Sequence, residues 1–240
     1  MDLNEQKIRP LYDKFARFPI FFDLDAFFGR VTENSVYRKK AIALLNLTAN
    51  STVLDVACGI GLNFKTLESY LQNKGKIVGI DISSESLKLA RKRIEKHKWT
   101  NIELVNMSII DYEPETRFDA VLCTFALEII PDYEGAIERI YDLLKPMGGF
   151  AMIGMKLTSK RPYNLLNPYF RWLYRVGGID VNRDIMSCIR SKFNKIDHYE
   201  ECFFGFYYIL SASKSHSSAK HYKVPSQTHQ NVRRDQSNFG

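Results

Sequence analysis

A glycine loop directly after a short apolar run constrains the fold of this chain more than any other feature. Segment 52–63 reads T-V-L-D-V-A-C-G-I-G-L-N, with Gly59 and Gly61 after a run that contains one acid, Asp55. This pattern is typical of the first strand of an α/β sheet that binds a nucleotide-like cofactor. The next apolar run ends at Asp81, twenty residues after Gly61. That spacing predicts a second parallel strand whose carboxylate meets a ribose diol.

The rest of the pattern predicts a Rossmann-like, doubly wound α/β fold with a mostly parallel sheet. Short aliphatic runs predict five strands, at 52–57, 76–80, 102–107, 119–124 and 150–156. Apolar residues at helical spacing predict helices between them, at 64–72, 84–97 and 133–144. Extended segments at 195–199 and 204–213 predict an antiparallel hairpin at one edge, which makes seven strands in all.

The chain divides into one domain with added segments. With 240 residues, of which 45% are apolar, it suffices for one sizeable core. We expect a helical N-terminal cap at 1–50, rich in phenylalanine between positions 15 and 28, and a cofactor-binding domain at 51–213. An insertion at 158–179 mixes aromatic residues with arginines. Both added segments are expected to cover the carboxyl ends of the strands, where open α/β sheets bind ligands.

The spacing of the cysteines and the lengths of the apolar runs argue against a disulfide-rich or membrane-spanning protein, and the position of the charge argues against a strongly basic core. From Ser211 onward five basic residues face one acidic residue, so more than half of the net charge of +7 lies in the last segment. Segment 214–240 is poor in aliphatic residues and is predicted to be disordered. The four cysteines are far apart and predict reduced, mostly buried thiols. No apolar run approaches the ~20 residues of a membrane span. We therefore expect a soluble, cytoplasmic protein, with peripheral contact at a membrane surface as an open alternative, and no metal site.

The glycine loop fits a cofactor without phosphate. The dinucleotide fingerprint has a third glycine that permits close packing beside a pyrophosphate, and here that position is Phe64. The acid Asp55 would add negative charge beside a phosphate. It would instead tolerate the ammonium group of an amino-acid end. S-adenosylmethionine has such an end, a ribose diol and no phosphate.

At these residues the chain resembles the class I S-adenosylmethionine-dependent methyltransferases. The loop V-L-D-V-A-C-G-I-G, the later R-F-D-A-V at 117–121 and the L-K-P-M-G-G at 144–149 carry the resemblance. It implies that S-adenosylmethionine is the cofactor. It further implies cofactor contacts in the glycine loop, at the ribose-binding acid and its neighbour, after strand three and after strand four: Asp55, Ala57, Gly59, Gly61, Asp81, Ile82, Ser108, Ile109, Thr124 and Phe125. Relatives often place an acid where Ser108 stands, which leaves Asp111 open as an alternative.

Two residues are candidates for contact with the methyl acceptor. Glu128 follows strand four and could act as a base or bind a cationic acceptor; alternatively it is a solvated loop residue. Tyr12 lies in a Y-D-K-F segment that resembles the Y-D element of the quinone-type and phospholipid-type methyltransferases. There it would cover the cofactor or the acceptor, or simply pack within the cap.

Aromatic segments favour a hydrophobic or lipid-like acceptor, and the arginines of the insertion could contact phosphate or a membrane surface. Phospholipid amine methylation is the preferred prediction, with a quinone-type carbon or a natural-product nitrogen or oxygen as alternatives. The N-P-Y-F at 167–170 resembles an element of amino-group methyltransferases, but it does not follow strand four. Nucleic acid is therefore a weak prediction, and a non-catalytic cofactor-binding protein is the alternative from another class.

Overall fold

A computed structural model describes residues 5–17 and 34–216. The core is a seven-stranded sheet in the order β3-β2-β1-β4-β5-β7-β6. The strands are β1 (Thr52–Val56), β2 (Lys76–Asp81), β3 (Ile102–Asn106), β4 (Phe118–Thr124), β5 (Leu144–Met155), β6 (His198–Cys202) and β7 (Tyr207–Ser213). The first five strands pair in parallel, and β7 pairs antiparallel with both β5 and β6. The predicted Rossmann-like fold, including its antiparallel hairpin, is confirmed.

Seven α-helices accompany the sheet in the described part of the chain. They are α1 (Glu5–Arg17), α2 (Asn34–Ala43), α3 (Phe64–Leu71), α4 (Ser84–His97), α5 (Tyr133–Leu143), α6 (Asn167–Val176) and α7 (Ile185–Phe193). Helix α4 spans 84–97 as predicted, and Ser83 caps it, since its hydroxyl accepts from the amide of Ser86 at 3.1 Å. The helix α7 was not predicted. Apolar clusters fill both sides of the sheet, as a doubly wound fold requires.

Strand β5 begins six residues earlier than predicted. The Pro and Gly residues of 145–149 suggested a turn, but Leu144 already pairs with Phe118. The next pair is Ala120 with Gly149, so the segment between them forms an irregularity in which Met147 has a φ of 63°. Because Pro and a left-handed residue are tolerated at a bulge, the strand continues through this segment.

The C-terminal hairpin is also shifted from its predicted bounds. Its first strand starts at His198 rather than 195, and residues Phe203–Gly205 form a 3-10 turn between the strands. Positive φ angles at Phe203, Phe204 and Gly205 reverse the chain there. The hairpin predicts a turn near Gly205, but a phenylalanine at positive φ is unusual, so the sequence does not predict that Phe203 and Phe204 form part of it.

Lys214, assigned from the sequence to the disordered tail, belongs to the core. Its side chain is buried, and its ammonium group donates to the carbonyl oxygens of Tyr141 (2.7 Å) and Leu144 (3.0 Å). Residues 217–240, the rest of the predicted tail, lie outside the described residues. So do residues 18–33 with most of the predicted phenylalanine cluster.

Helix α1 contacts the first turn of α4. The carboxylate of Asp13 accepts a hydrogen bond from the hydroxyl of Ser83 at 2.6 Å and one from the amide of Glu85 at 3.5 Å. An acid at a helix N-terminus is favoured by the exposed amides and by the helix dipole. This contact fixes α1 beside the carboxyl ends of the strands. In the described residues no helix is long and apolar enough to cross a membrane.

Candidate active site

A cavity of about 320 Å³ opens at the carboxyl ends of β1, β2 and β4. It has the size of a small-molecule site. Apolar side chains form much of its wall: Ile8, Val56, Ile60, Leu62, Ile80, Ile82, Met107, Ile109, Ile110, Phe125, Ala126, Ile129 and Ile130. Its polar lining comes from Tyr12, Arg38, Asp81, Ser86, Ser108, Thr124 and Asp132. The predicted position of the ligand site at this edge agrees with where the cavity lies.

The glycine loop forms the floor of the cavity. Gly59 has a φ of +54° and lines the cavity, where an added Cβ would meet no atom within 4 Å. Gly61 does not line it; its φ is +76°, and a Cβ would come within 2.5 Å of the Phe64 ring. Phe64, the residue in place of a third glycine, is fully buried. Gly59 thus leaves room for a ligand, whereas Gly61 leaves room for Phe64.

Asp81 is held in place by the loop and by the start of α4. One carboxylate oxygen accepts from the amide of Gly59 and the other from the amide of Ser83, both at 2.8 Å. A carboxylate has about four lone-pair sites, so each oxygen can accept one further hydrogen bond. Burial raises the pKa of Asp81, and the two amide hydrogen bonds oppose that shift. Asp81 lines the cavity and is suited to bind a pair of ribose hydroxyls.

Asp55 lies beneath the cavity rather than in its wall. It is fully buried, and both of its carboxylate oxygens accept from the side-chain amide of Asn63, at 2.9 and 3.1 Å. Burial raises the pKa of Asp55 to about 7, while the hydrogen bond from Asn63 and the charge of Arg38 lower it. Asp55 is therefore linked to the cavity through Asn63, which bonds Arg38 and Thr124 of the cavity wall, and its predicted contact with the cofactor stays a prediction.

Arg38 links this buried network to the cavity. Its Nη1 donates to Asn63 Oδ1 at 2.9 Å and to the hydroxyl of Thr124. Its guanidinium carbon lies 5.1 Å from the centre of the Phe125 ring. Arg38 is the one basic residue among the described residues that line the cavity. It is suited to pair with a carboxylate, such as that of an amino-acid end.

Sequence reasoning missed both Arg38 and Asn63. Arg38 lies on a helix before β1 and carries no motif. Asn63 had a usable signal, because a buried acid needs a hydrogen-bond donor and Asn63 stands in the loop that follows the strand of Asp55. The predicted pair Thr124 and Phe125 lines the cavity at the end of β4. Phe125 has a φ of 59° there.

The remaining predicted cofactor residues also line the cavity. Ala57, Ile82, Ser108 and Ile109 are all in its wall, and Asp111 is not. Ser108 thus lies in the cavity wall at the position where relatives often place an acid, and the alternative, Asp111, does not. The apolar side chains of Ile82 and Ile109 provide surfaces against which a flat base can pack. Together with Asp81 and Arg38, they offer separate contacts for a base, a ribose and a carboxylate, so the residues present fit S-adenosylmethionine.

The two candidate acceptor residues occupy different places. Tyr12 lines the cavity, and its hydroxyl donates to the carbonyl oxygen of Gly177 at 3.2 Å. Burial raises the pKa of Tyr12, so its hydroxyl stays protonated. Tyr12 thus joins α1 to the insertion, and its contact with the cofactor or the acceptor stays a prediction.

Glu128 is not in the wall of this cavity. Its Oε1 accepts from the amide of Met155 at 2.9 Å and from the hydroxyl of Tyr208 at 3.1 Å, while its buried Oε2 has no hydrogen-bond partner. It lines a second, smaller cavity instead. Burial raises the pKa of Glu128 to about 7. Glu128 is therefore buried rather than a solvated loop residue, and its contact with an acceptor stays a prediction.

The insertion at 158–179 contributes no residue to the lining of the cavity. Its predicted role as a cover over the ligand therefore has no direct support from the described residues. Asn167 bonds the backbone of Thr158, accepting from its amide at 3.2 Å and donating to its carbonyl at 2.9 Å. The N-P-Y-F element is thus the start of a helix, away from the cavity.

No group of three or more His, Cys, Asp and Glu side chains within residues 5–17 and 34–216 is arranged to hold a metal ion. The four thiols are free, and three of them are buried, as predicted. Burial raises the pKa of Cys58, which lines the cavity, well above its ordinary value. A neutral thiol at this place is a small apolar surface rather than a nucleophile.

Comparison with known proteins places the chain among methyltransferases. A family model described as a methyltransferase domain matches residues 47–170. The demethylmenaquinone methyltransferase of Listeria welshimeri is 28% identical over 175 residues, which cover 72% of this chain and 70% of that protein.

Solved structures show the same fold. The N-methyltransferase NodS of Bradyrhizobium japonicum WM9, in complex with S-adenosyl-L-homocysteine, has a TM-score of 0.60 at 14% identity and covers 76% of this chain and 87% of that chain. Phosphoethanolamine N-methyltransferase 2 of Haemonchus contortus, in complex with S-adenosyl-L-methionine, has a TM-score of 0.60 at 17% identity, with coverage of 73% and 52%.

Proposed function

Since the chain belongs to the methyltransferase domain family and is a class I S-adenosylmethionine-dependent methyltransferase, we propose that it methylates a quinone-type ring of a lipid-like acceptor. The observation that carries the proposal is the likeness, over 72% of the chain, to proteins named demethylmenaquinone methyltransferase. The largely apolar wall of the cavity supports it, because a fused ring and an isoprenoid-like chain bind through buried apolar surface.

The lining residues divide between donor and acceptor. When bound, S-adenosylmethionine supplies an electrophilic methyl group on a sulfonium. Asp81 would hold the ribose and Arg38 the carboxylate. Phe125 and the segment after it, with Ile129 and Ile130, would then form the wall for the acceptor ring. Holding the ring carbon in line with the methyl group and excluding water are the main tasks of the protein in such a displacement.

The charges of the cavity favour a neutral or anionic ring over a cationic amine. Two acids line it, Asp81 and Asp132. Asp81 is assigned to the ribose, and Asp132 caps α5 by accepting from the amide of Gly135 at 2.8 Å. Neither acid is thus left to neutralise the ammonium group of a cationic acceptor, and Arg38 is assigned to the carboxylate of the donor. The phospholipid amine predicted from the sequence is therefore the second candidate.

Methyl transfer to defined lipids tests the proposal. The purified protein is incubated with S-adenosylmethionine that carries a labelled methyl group, and either a chemically reduced demethylmenaquinone or phosphatidylethanolamine. We expect label in the quinone and none in the phospholipid. Label in the phospholipid alone would overturn the quinone proposal in favour of amine methylation. Calorimetric binding of S-adenosylmethionine without label in any lipid, RNA or protein would overturn it in favour of a non-catalytic binding protein.

A further inference from the structure

The insertion exposes a continuous apolar stripe along a 3-10 turn, Tyr163–Leu166, and along the helix α6 that follows it. Along residues 165–176 every apolar side chain at helical spacing on one face points to solvent: Leu165, Leu166, Tyr169, Trp172, Leu173 and Val176. Leu165 is 78% exposed and Trp172 61%. Six large apolar side chains within three turns exceed the scattered exposure that is normal for a protein surface. We call these six residues the apolar stripe.

The stripe is held rigidly outward because the opposite face of α6 is already packed. The ring of Phe170 stacks on Phe206 with centroids 3.8 Å apart. One turn later Tyr174 is buried and its hydroxyl donates to the carbonyl of Phe206 at 3.5 Å. Because these two residues fix the helix on the sheet, the stripe cannot turn inward without breaking that contact.

The charged residues of the segment that carries the stripe are all basic, and two of them, Lys156 and Lys160, are paired with Glu201 of β6. From 156 to 179 the chain has five basic residues and no acidic one: Lys156, Lys160, Arg161, Arg171 and Arg175. Arg171 and Arg175 lie one turn apart on α6 beside the stripe, and both are exposed. An apolar helix face with Trp and Tyr, flanked by arginines, is suited to lie in the interface of a bilayer with negatively charged headgroups.

We propose that the apolar stripe docks on an anionic phospholipid bilayer, with Arg171 and Arg175 on the lipid phosphates. The carboxyl end of α6 leads directly to Gly177, whose carbonyl accepts the hydroxyl of Tyr12 in the wall of the active-site cavity. Docking would therefore hold the cavity next to the membrane. The value of this arrangement for catalysis rests on the proposed lipid-like acceptor, but the docking itself does not.

Vesicle binding tests the proposal without acceptor or cofactor. Trp172 is one of two tryptophans, and a Trp99→Phe background leaves it as the sole indole probe. Vesicles of phosphatidylglycerol and phosphatidylcholine are compared with vesicles of phosphatidylcholine alone. We expect co-sedimentation and a blue-shifted Trp172 emission, quenched by brominated acyl chains, with the anionic vesicles. An unshifted emission with those vesicles would overturn the proposal.

Matched variants separate binding through the apolar stripe from nonspecific binding to vesicles. Trp172→Glu and Leu165→Glu should each weaken binding at least tenfold. Met147→Glu changes a side chain of similar exposure, 65%, near the amino end of β5, and should have no effect. Arg171→Glu should weaken binding, whereas Arg91→Glu on α4 should not. Equal binding by Trp172→Glu and the parent would overturn the proposal; so would protection of Trp172 from acrylamide in the absence of lipid, which would show that another part of the chain or a second copy covers the stripe.

The outcomes also separate docking from the proposed function. Vesicle binding without methylation of the quinone would overturn the acceptor assignment and keep the docking surface. Methylation of a detergent-solubilised quinone without vesicle binding would do the reverse. The circular dichroism spectrum and melting temperature of each variant are measured alongside, because the five substituted positions are exposed and the substitutions should leave the fold unchanged.

Discussion

The cofactor edge and the insertion present opposite kinds of surface to a ligand. At the edge, polar groups are fixed by hydrogen bonds, as Asp81 is by the amides of Gly59 and Ser83. In the insertion, the exposed face of α6 presents apolar side chains flanked by arginines. The first arrangement selects one small molecule by geometry, whereas the second suits a fluid surface with negative charge. The comparison teaches that the polar groups assigned to the donor are part of the sheet edge, while the proposed contact with a lipid phase is confined to an added helix.

The largest effect is expected at the cofactor edge. Asp81→Ala removes the acceptor for the ribose hydroxyls, and we expect affinity for S-adenosylhomocysteine to fall by roughly 1.5–3 kcal/mol, the size of charge-assisted hydrogen bonds. Isothermal titration calorimetry measures this. Asp111→Ala is the control, since Asp111 does not line the cavity. An unchanged affinity in Asp81→Ala would show that the ribose lies elsewhere.

An Arg38 variant tests whether separate residues bind the amino-acid end and the ribose of the donor. Arg38→Gln should weaken S-adenosylhomocysteine about tenfold, which is about 1.4 kcal/mol, by removing the charge that faces the carboxylate. It should leave methylthioadenosine, which lacks the amino-acid end, nearly unaffected. Asp81→Ala should weaken both ligands. If Arg38→Gln weakened both equally, its effect would be on the fold of the loop rather than on the carboxylate.

Glu128 lies between the two regions and gives a pH dependence. Burial raises its pKa to about 7 in the folded protein, from 4.5. The folded state therefore binds more protons than the unfolded state between these values, so this group's stabilisation is complete below pH 4.5 and is lost as pH rises through 7. Relative to the wild type, Glu128→Gln should gain about 1 kcal/mol in free energy of unfolding between pH 5 and pH 6.

Urea unfolding at several pH values measures that difference. Glu115→Gln, an exposed acid, is the control and should keep the wild-type slope. A parallel pH dependence in Glu128→Gln and wild type would contradict the burial of an unpartnered carboxyl oxygen. Loss of methyl transfer with intact stability would instead point to direct contact with the acceptor.

The smallest change in stability is expected for Tyr12, whose hydroxyl links the cavity wall to the insertion. Tyr12→Phe removes one hydrogen bond, to the carbonyl of Gly177, and keeps the ring over the cavity. We expect a loss of about 1 kcal/mol or less in the free energy of unfolding, as for a single neutral hydrogen bond. Affinity for S-adenosylhomocysteine should change by less than about fivefold, the equivalent of that energy. A tenfold or larger loss would show that the hydroxyl itself contacts the ligand.

Sequence reasoning succeeded where the determinants are local and failed where they are not. Gly59 and Asp81 follow directly on apolar runs, so both the strands and their ligand edge could be predicted from the chain. Arg38 reaches the cavity from a helix before the sheet, and only the packing of α2 brings it there. Glu128 looked like a loop residue, yet β7 returns beside β5 and buries it against Tyr208. The apolar residues of α6 suggested a cover over the ligand, because the sequence does not show which of its two apolar faces packs on the sheet.

A crystal structure of the protein with S-adenosylhomocysteine tests the central claim most directly. We predict that both ribose hydroxyls lie within hydrogen-bond distance of the Asp81 carboxylate and that the amino-acid carboxylate faces Arg38. The base should lie between Ile82 and Ile109, with Asp55 still bound to Asn63 beneath the loop. A ligand whose ribose lies away from Asp81, or whose carboxylate faces away from Arg38, would contradict the assignment of this edge as the donor site.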